Sequence, residues 1–365
     1  MILERLSILS YKNIDQADLS FSPKVNCFLG NNGMGKTNLL DAIYYLSFCK
    51  SHNNLIDSQN IKHDADLSLI QGYYKQDDGK EDEFFCGIKR RQKKQFKRNK
   101  KEYEKLSDHI GCLPLVMISP ADSDLITGGS EERRKFMDVV LSQFDKEYLQ
   151  SLIRYNKALQ QRNALLKSEM QTDGSLYEIW EEQLAAEGII IYQKRKSFID
   201  EFVPTFQHYY NFICQSNETV SLTYESQLAE GNLLDLLKQK RDRDKILGYT
   251  TTGGHRDDLD MQLGDYSIKK VGSQGQNKTY VVALKLAQFD FLQKSGKITP
   301  ILLLDDIFDK LDSSRVEQIV KLVAGDNFGQ IFITDTNREH LDEILRGLNS
   351  EYHLYQVQSG EVNKL

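Results

Sequence analysis

The chain has 365 residues, 40% hydrophobic and 27% charged, the proportions of a globular protein with room for two domains. Its net charge of −6 argues against a wholly basic nucleic-acid binder, and no apolar run approaches the roughly 18 residues of a membrane span. The N-terminus lacks a signal-peptide pattern, and the five cysteines are scattered without C-x-x-C spacing. We therefore expect an intracellular protein with free thiols.

The first elements of the chain are predicted to be strands that lead into a helix. Alternating or continuously apolar segments predict strands over 2–9, 17–21 and 25–29. Apolar residues then recur at helical spacing from 38 to 48. A glycine-rich loop separates the third strand from this helix.

This loop, from Gly30 to Thr37, matches the pattern G-x-x-x-x-G-K-[ST] completely. In that pattern backbone N–H groups and the helix N-terminus surround a phosphate, the lysine adds charge, and the hydroxyl is a ligand of Mg²⁺. The sequence therefore predicts a site for ATP and Mg²⁺. Its phosphate cradle is formed by Gly30, Asn31, Asn32, Gly33, Met34, Gly35, Lys36, Thr37 and Asn38.

A basic segment follows among further predicted strands, which cover 67–74, 83–90, a short stretch near Phe96, and 115–118. Nine of the thirteen residues from 89 to 101 are Lys or Arg, and the flanking strands make this run a hairpin. Such a run can be a solvated hairpin, but nine neighbouring cations repel one another unless an anion lies nearby. We interpret it as a DNA or RNA contact. The candidate residues are Lys89, Arg90, Arg91, Lys93, Lys94, Lys97 and Arg98.

The middle of the chain changes character. Residues 131–214 contain a single proline, and their apolar spacing predicts three or four helices. Strand patterns return at 220–224 and 259–263. The sequence therefore predicts a helical lobe of the size of a small domain, inserted into the rest of the fold.

Helices and strands alternate in the last third of the chain. Helices are predicted over 274–293, 313–323 and 337–348, and strands over 301–304 and 330–334. Because such alternation is typical of parallel strands joined by crossover helices, we expect one α/β domain assembled from both ends of the chain.

The apolar strand over 301–304 ends in two acids, Asp305 and Asp306. Beside a phosphate loop, Asp305 can hold Mg²⁺ through water, and Asp306 can orient or deprotonate the attacking water. Alone, a strand that ends in two aspartates is usually the start of a solvated loop. The complete phosphate loop favours the functional interpretation.

The segment Ser273, Gln274, Gly275 and Gln276 opens the predicted helix over 274–293. Ser273 with Gln276 three residues later is a capping box. The same helix start offers N–H groups and a positive dipole to an anion. The two interpretations are compatible, since an anion site of this kind requires a well-formed helix N-terminus.

Together these segments resemble the bacterial RecF family of DNA replication and repair ATPases, relatives of SMC-type and ABC-type ATPase heads. The resemblance covers nearly the whole chain and includes blocks that are not general phosphate-loop features. These blocks are Ser119-Pro120-x-Asp122, Arg133-Arg134-x-Phe136-x-Asp138, Gly254-His255-Arg256-Asp257-Asp258 and Ser273-Gln274-Gly275-Gln276.

The resemblance implies an α/β fold with two lobes. An ABC-type, SMC-head-like P-loop ATPase lobe would comprise residues 1–118 and 250–365, and a mainly helical second lobe 119–249. In this family ATP draws two copies into a head-to-tail dimer that clamps DNA. Ser273 to Gln276 would be the signature motif, which touches the γ-phosphate bound by the other copy. Asp305 matches the Mg²⁺-associated acid and Asp306 the hydrolytic carboxylate.

The resemblance also implies partners and a slow ATPase stimulated by DNA. The expected partners are double-stranded and single-stranded DNA at gapped junctions, RecR and RecO-like mediators, RecA indirectly, and a second copy of the chain, in the cytoplasm and on the nucleoid. Tyr11-Lys12-Asn13 replaces the family's Phe-Arg-Asn, and Asp335 and Thr336 stand where ABC ATPases carry a switch histidine. We therefore expect slow hydrolysis.

Two other classes of P-loop protein fit the sequence less well. An SMC-like or overcoming-lysogeny-type head acting with a nuclease needs a further acidic metal cluster, for which the about thirty residues after Thr334 leave no room. A transporter ATPase subunit would carry a glutamate after Asp305 and a Ser-Gly-Gly-Gln signature, and this chain has neither.

Overall fold

The computed structural model describes residues 1–168, 174–215, 218–296, 298–308, 311–325, 327–339, 342 and 351–365. Its strands are β1 (Ile2–Tyr11), β2 (Ile14–Ser20), β3 (Val25–Leu29), β4 (Leu67–Lys75), β5 (Glu81–Lys89), β6 (Gln95–Arg98), β7 (Lys101–Glu102), β8 (Leu115–Ile118), β9 (Val220–Glu225), β10 (Asp258–Leu263), β11 (Tyr266–Ser267), β12 (Ile301–Asp305), β13 (Ile331–Asp335), β14 (Tyr352–Gln358) and β15 (Glu361–Lys364). Its helices are α1 (Lys36–Phe48), α2 (Asp124–Thr127), α3 (Ser130–Phe144), α4 (Lys146–Leu166), α5 (Gly174–Cys214), α6 (Leu233–Leu247), α7 (Ile268–Val271), α8 (Gln274–Ser295) and α9 (Ser313–Ala324). Most of the predicted helix over 337–348 lies outside the described residues.

The chain divides into two compact units. Unit 1 comprises Met1–Asp122, Phe212–Gln215 and Gln274–Leu365, and unit 2 comprises Ser123–Asn211 and Ser216–Ser273. The sequence placed the end of the second lobe at residue 249, whereas unit 2 continues to Ser273. The reason is strand pairing, because β10 lies antiparallel to β9 along its whole length and so stays with the helical lobe.

Unit 1 contains a six-stranded mixed sheet. Its strand order is β15-β14-β3-β13-β12-β8, and β14, β3, β13, β12 and β8 are mutually parallel. The predicted parallel arrangement is therefore confirmed. Because parallel strands all end at the same edge, the loops after β3, β12, β13 and β14 meet there. That edge holds the candidate site.

Burial explains why these elements form. β12 and β13 are buried along their entire length, as expected for a sheet covered on both faces. Phe28, Phe332 and Tyr355 stack across β3, β13 and β14, and Phe21 meets all three rings edge to face. Each such buried aromatic stabilises the fold by roughly 2–3 kcal/mol through lost apolar surface.

Unit 1 also contains an antiparallel sheet with the order β2-β1-β4-β5-β6-β7. Its strands alternate between buried and exposed residues, the pattern of a sheet with one solvated face. β5 pairs with β6 in a hairpin, which confirms the predicted location of the basic run.

Unit 2 combines α3 to α6 with the three-stranded sheet β11-β10-β9. Arg162 is fully buried between α4, α5 and α6, where it pairs with Glu181 at 3.1 Å and Asp244 at 2.7 Å. Removing one member of such a buried network costs roughly 3–5 kcal/mol, because a charge is left unpaired. Within the described ranges, no helix is long and apolar enough to cross a bilayer.

Candidate nucleotide site

The phosphate loop connects β3 to α1 and has the backbone that its glycines permit. Gly33 and Gly35 adopt φ angles of 80° and 113°, a region that residues with a Cβ rarely enter. Lys36 is 3% exposed, and its Nζ donates to the carbonyl oxygens of Gly30 at 2.9 Å and Asn31 at 3.3 Å. The ammonium group is thus already inside the loop.

The end of β12 lies directly against the start of α1. Thr37 Oγ1 is 3.0 and 2.9 Å from the two carboxylate oxygens of Asp305. Thr334, the fourth residue of β13, donates from its own hydroxyl to Asp305 Oδ1 at 2.7 Å. Two predicted site residues that are far apart in the sequence are therefore in contact, and a threonine that the sequence did not single out fixes the carboxylate between them.

Asp306 continues this arrangement into the following turn. Its φ is 45°, and its N–H donates to Thr334 Oγ1 at 3.0 Å, which holds a left-handed backbone that aspartate tolerates better than most residues. Its carboxylate lies 3.8 Å from Lys36 Nζ. Burial raises the pKa of Asp306, with Lys36 opposing the shift and Asp305 adding to it. A carboxylate with a raised pKa is a better proton acceptor.

The donor atoms at this edge fit a magnesium ion. Thr37 Oγ1 and the Asp305 carboxylate are hard oxygen donors held side by side. Mg²⁺ in nucleotide sites takes one or two protein oxygens and completes its shell with phosphate oxygens and water. In the part of the chain that the structure describes, no three His, Cys, Asp or Glu side chains form a metal-binding group.

The predicted signature segment stands at the N-terminus of α8. Ser273 is the last residue of unit 2, and Gln274 begins both the last segment of unit 1 and the 22-residue helix. A Cβ on Gly275 would lie 3.0 Å from Arg315 Nη1, at the start of α9. One turn further, Lys278 Nζ lies 3.4 Å from the backbone carbonyl of Asp306. The first turns of α8 therefore contact two segments: the backbone at Asp306 and the side chain of Arg315.

The residues of the basic run divide between several environments. Lys89, Arg91 and Lys93 are exposed. Lys94 is half-buried, and its Nζ donates to Cys49 O at 2.5 Å and lies 3.0 Å from Asp57 Oδ2. These internal acceptors neutralise the lysine, so it does not need an external anion.

Half-buried Arg98 and exposed Arg90 also donate hydrogen bonds to protein acceptors. The Arg98 guanidinium donates two hydrogen bonds to the Asp82 carboxylate, at 3.0 and 2.8 Å. Arg90 donates to Ala65 O at 3.0 Å and lines, with Lys12 and His63, a cavity of about 470 Å³. Lys97 is half-buried, with Nζ 5.6 Å from the centre of the Phe85 ring.

Asn13 is a site residue that sequence reasoning did not place. It follows Lys12 in the two-residue loop between β1 and β2, and its Oδ1 accepts a hydrogen bond from Asn38 Nδ2 at 2.8 Å. A Cβ on Gly35 would approach its side chain to 2.9 Å. Lys12 anchors the same loop to buried Asp41 at 2.5 Å. The only sequence signal was the resemblance of Tyr11-Lys12-Asn13 to a family motif.

The three other blocks that carry the resemblance have structural contacts. Asp122 accepts from Ser119 N at 2.7 Å and pairs with Lys285 of α8 at 2.7 Å, within unit 1. Within unit 2, Arg133 pairs with Asp258 at 2.7 Å. These blocks fix the helices and loops of each unit.

Comparison with known proteins agrees with this geometry. The model of the RecF/RecN/SMC N-terminal domain family matches residues 2–363. The DNA replication and repair protein RecF of Phocaeicola vulgatus is 65% identical over 365 residues, which cover 100% of this chain and 98% of the relative. The RecF protein of Bacteroides thetaiotaomicron is 64% identical, with 100% and 99% covered.

Solved structures extend the similarity to the fold. A structure of the recombination mediator protein RecF-ATP in the RecFOR pathway is 29% identical, with a TM-score of 0.89 over 100% of this chain and 97% of that chain. The structure of an Smc head bound to the C-winged helix domain of ScpA has a TM-score of 0.61 and covers 100% of this chain and 98% of that chain. At 15% sequence identity this is a likeness in fold alone. The predicted family and ATPase-head fold are confirmed. The chain belongs to the RecF family of DNA replication and repair proteins, within the RecF/RecN/SMC group.

Proposed function

We propose that this protein is an ATP-gated clamp: two copies close on DNA when ATP is bound, and slow hydrolysis separates them. The observation that carries the proposal is the contact between Thr37 Oγ1 and both carboxylate oxygens of Asp305. It joins the phosphate loop to the acids of β12, the two halves of a site for phosphoryl transfer to water.

The roles of the side chains follow from their positions. Lys36, now bonded to loop carbonyls, would turn to the terminal phosphates of ATP, whose charge it neutralises. Thr37 and Asp305 would hold Mg²⁺, which supplies positive charge to the phosphate oxygens. Asp306 would orient the attacking water and accept its proton, and its raised pKa suits that task.

The signature segment would complete the site of a second copy. Ser273 to Gln276 stand at the N-terminus of a 22-residue helix, where backbone N–H groups and the helix dipole favour an anion. The absence of a side chain on Gly275 lets the Arg315 guanidinium approach this helix start, where a Cβ would lie 3.0 Å from Nη1. The anion it would meet is the γ-phosphate held by the other copy.

DNA and protein partners follow from the family. Exposed Lys89, Arg91 and Lys93 offer charge to a DNA backbone. A solved relative is described as part of a RecFOR pathway, from which we infer RecO- and RecR-like partners at gapped DNA and a supporting role in RecA loading. ATP turnover would be slow and stimulated by DNA. The protein itself would be associated with the nucleoid.

The experiment is to measure the mass of the protein by sedimentation, with and without ATP and Mg²⁺, and with and without gapped DNA. We expect a monomer without nucleotide, a dimer with ATP and Mg²⁺, and a dimer–DNA complex when gapped DNA is added. A protein that binds ATP yet stays monomeric under every condition would contradict the proposal.

A further inference from the structure

The C-terminal hairpin contacts the phosphate loop. β14 and β15 are joined by a two-residue loop, Ser359 and Gly360, because Gln358 pairs with Glu361. The Gly360 N–H donates to the backbone carbonyl of Met34 at 2.8 Å, and the Ser359 N–H points at the sulfur of Met34 at 3.3 Å. Met34 lies in the middle of the phosphate loop.

This contact leaves no spare room. Ser359 and Gly360 adopt φ angles of 51° and 85°, and a Cβ on Gly360 would lie 2.3 Å from the backbone oxygen of Asn13. At the start of the phosphate loop, a Cβ on Gly30 would lie 2.4 Å from the backbone oxygen of Val357 in β14. Two glycines, one in each element, are therefore required for the hairpin and the loop to approach this closely.

The phosphate loop is thus held on two sides by turns from opposite ends of the chain. Asn13, in the first turn of the protein, abuts Gly35 and bonds Asn38. Gly360, in the last turn, bonds Met34 and abuts Asn13. A phosphate cradle depends on the direction of its backbone N–H groups, so elements that fix this backbone before ATP arrives reduce the entropic cost of binding.

We propose that the Ser359–Gly360 turn is a positioning element for the phosphate loop, which sets the affinity of the loop for the phosphates of ATP. The inference rests on the proposed role of Gly30 to Thr37 as the nucleotide cradle. It assigns the C-terminal hairpin to the site, where Gln356, Gln358 and Ser359 line one cavity with Gly30, Asn31 and Met34 of the phosphate loop.

The test compares two alanine substitutions of left-handed glycines. Gly360→Ala places a Cβ against Asn13, whereas Gly79→Ala, at φ 84° in the β4–β5 turn, meets nothing within 4 Å. Both substitutions carry the strain of a left-handed backbone, and Gly360→Ala adds the clash with Asn13, so we expect both variants to lose Tm and Gly360→Ala to lose more. Only Gly360→Ala should weaken binding of ATP and ADP, by about tenfold, or ~1.4 kcal/mol. Equal nucleotide affinities in the two variants would overturn the proposal.

A second measurement uses the unmodified protein, so it tests the proposal even if the Gly360→Ala variant does not fold. Hydrogen exchange of the Gly360 amide should slow when ATP binds, together with the amides of the phosphate loop, while the Gly79 amide is unchanged. An unchanged Gly360 amide beside a protected phosphate loop would contradict the inference. If the unmodified protein bound no ATP at all, the proposed function would fail instead, and the two failures are distinguishable.

Discussion

The phosphate-loop site and the basic run are both conspicuous in the sequence, yet the fold treats them in opposite ways. Thr37 and Asp305, 268 residues apart, meet at one edge of the parallel sheet. Lys93 and Lys94 are neighbours, yet Lys93 is exposed while Lys94 is bonded to Cys49 and Asp57 inside unit 1. Nearness in the sequence is therefore a poor guide to a shared role.

Sheet geometry explains why the residues of the phosphate-loop site meet although they are far apart in the sequence. The carboxyl ends of parallel strands converge, so residues that follow β3, β12 and β13 are brought to one place whatever their separation in the sequence. Lys93 and Lys94 lie in the connection between β5 and β6, where each side chain takes its environment from its own contacts, so neighbouring cations are divided between solvent and internal acceptors. The following predictions test that contrast, beginning with the largest effect.

Asp306→Asn should remove the proton acceptor and leave the phosphate loop intact. We expect steady-state ATP turnover to fall by about 10²- to 10⁴-fold, because that is the usual contribution of a general base. ATP binding should persist, and the ATP-bound dimer should accumulate. The measurement is phosphate release beside nucleotide titration. Turnover at the unmutated rate would exclude Asp306 from the mechanism.

Lys36→Ala should act on binding. The loss of a charged hydrogen bond to phosphate weakens affinity by roughly 1.5–3 kcal/mol, or about 10- to 150-fold, so dimerisation by ATP should also disappear. Lys80→Ala is the matched control, since Lys80 is 79% exposed on the β4–β5 turn. The measurement is titration with a fluorescent ATP analogue, and equal affinities in the two variants would show that Lys36 does not touch the phosphates.

Lys93 and Lys94 should separate DNA binding from stability. Lys93→Gln should weaken DNA binding severalfold and make the log–log salt dependence shallower by about 0.9, with Tm unchanged. Lys94→Met should lower Tm by roughly 2–4 °C, since Asp57 loses its partner, with an unchanged salt dependence. The measurements are DNA affinity as a function of salt concentration and Tm by thermal unfolding, for both variants. If Lys94→Met alone flattened the salt dependence, the division of the run between two environments would be wrong.

Asp306 should also cost stability. Its folded-state pKa is raised above the ordinary value, so at neutral pH the ionised form is disfavoured in the folded protein. Asp306→Asn should therefore raise Tm slightly at neutral pH, and asparagine tolerates the left-handed backbone equally well. Below both pKa values the aspartate is neutral in either state, so the gain should shrink as the pH falls through the folded pKa and vanish below about 4. A gain independent of pH would point to a cause other than ionisation.

Much of the fold could be predicted because local patterns were strong. The strand over 25–29 and the start of the helix at Gln274 were placed correctly, since buried strands are continuously apolar and the helix begins at a serine. The end of unit 2 was misplaced because the pairing of β10 with β9 joins segments far apart in the sequence. Such pairing has no local signature.

The site was predictable in its motifs and not in its supports. Thr334 donates a hydrogen bond to the Asp305 carboxylate and accepts one from the Asp306 N–H. A single threonine in an apolar strand gives no sequence signal of such a role. The hairpin of β14 and β15 was missed, although Ser359-Gly360 is a common turn dipeptide, because alternation in β14 is weak: only Tyr355 and Val357 are buried. Supports of this kind are defined by tertiary packing, which a single sequence does not display.

The central claim is that each active site takes its phosphate loop from one copy and its signature segment from another. Mixing Lys36→Ala with Ser273→Arg tests it most directly, since each variant alone lacks one half of every site. In a mixed dimer, one site has an intact loop and an intact signature. We predict negligible ATP turnover for each variant alone and recovery of a substantial fraction of the unmutated rate on mixing. A mixture as inactive as its components, or a Ser273→Arg protein fully active alone, would contradict the claim.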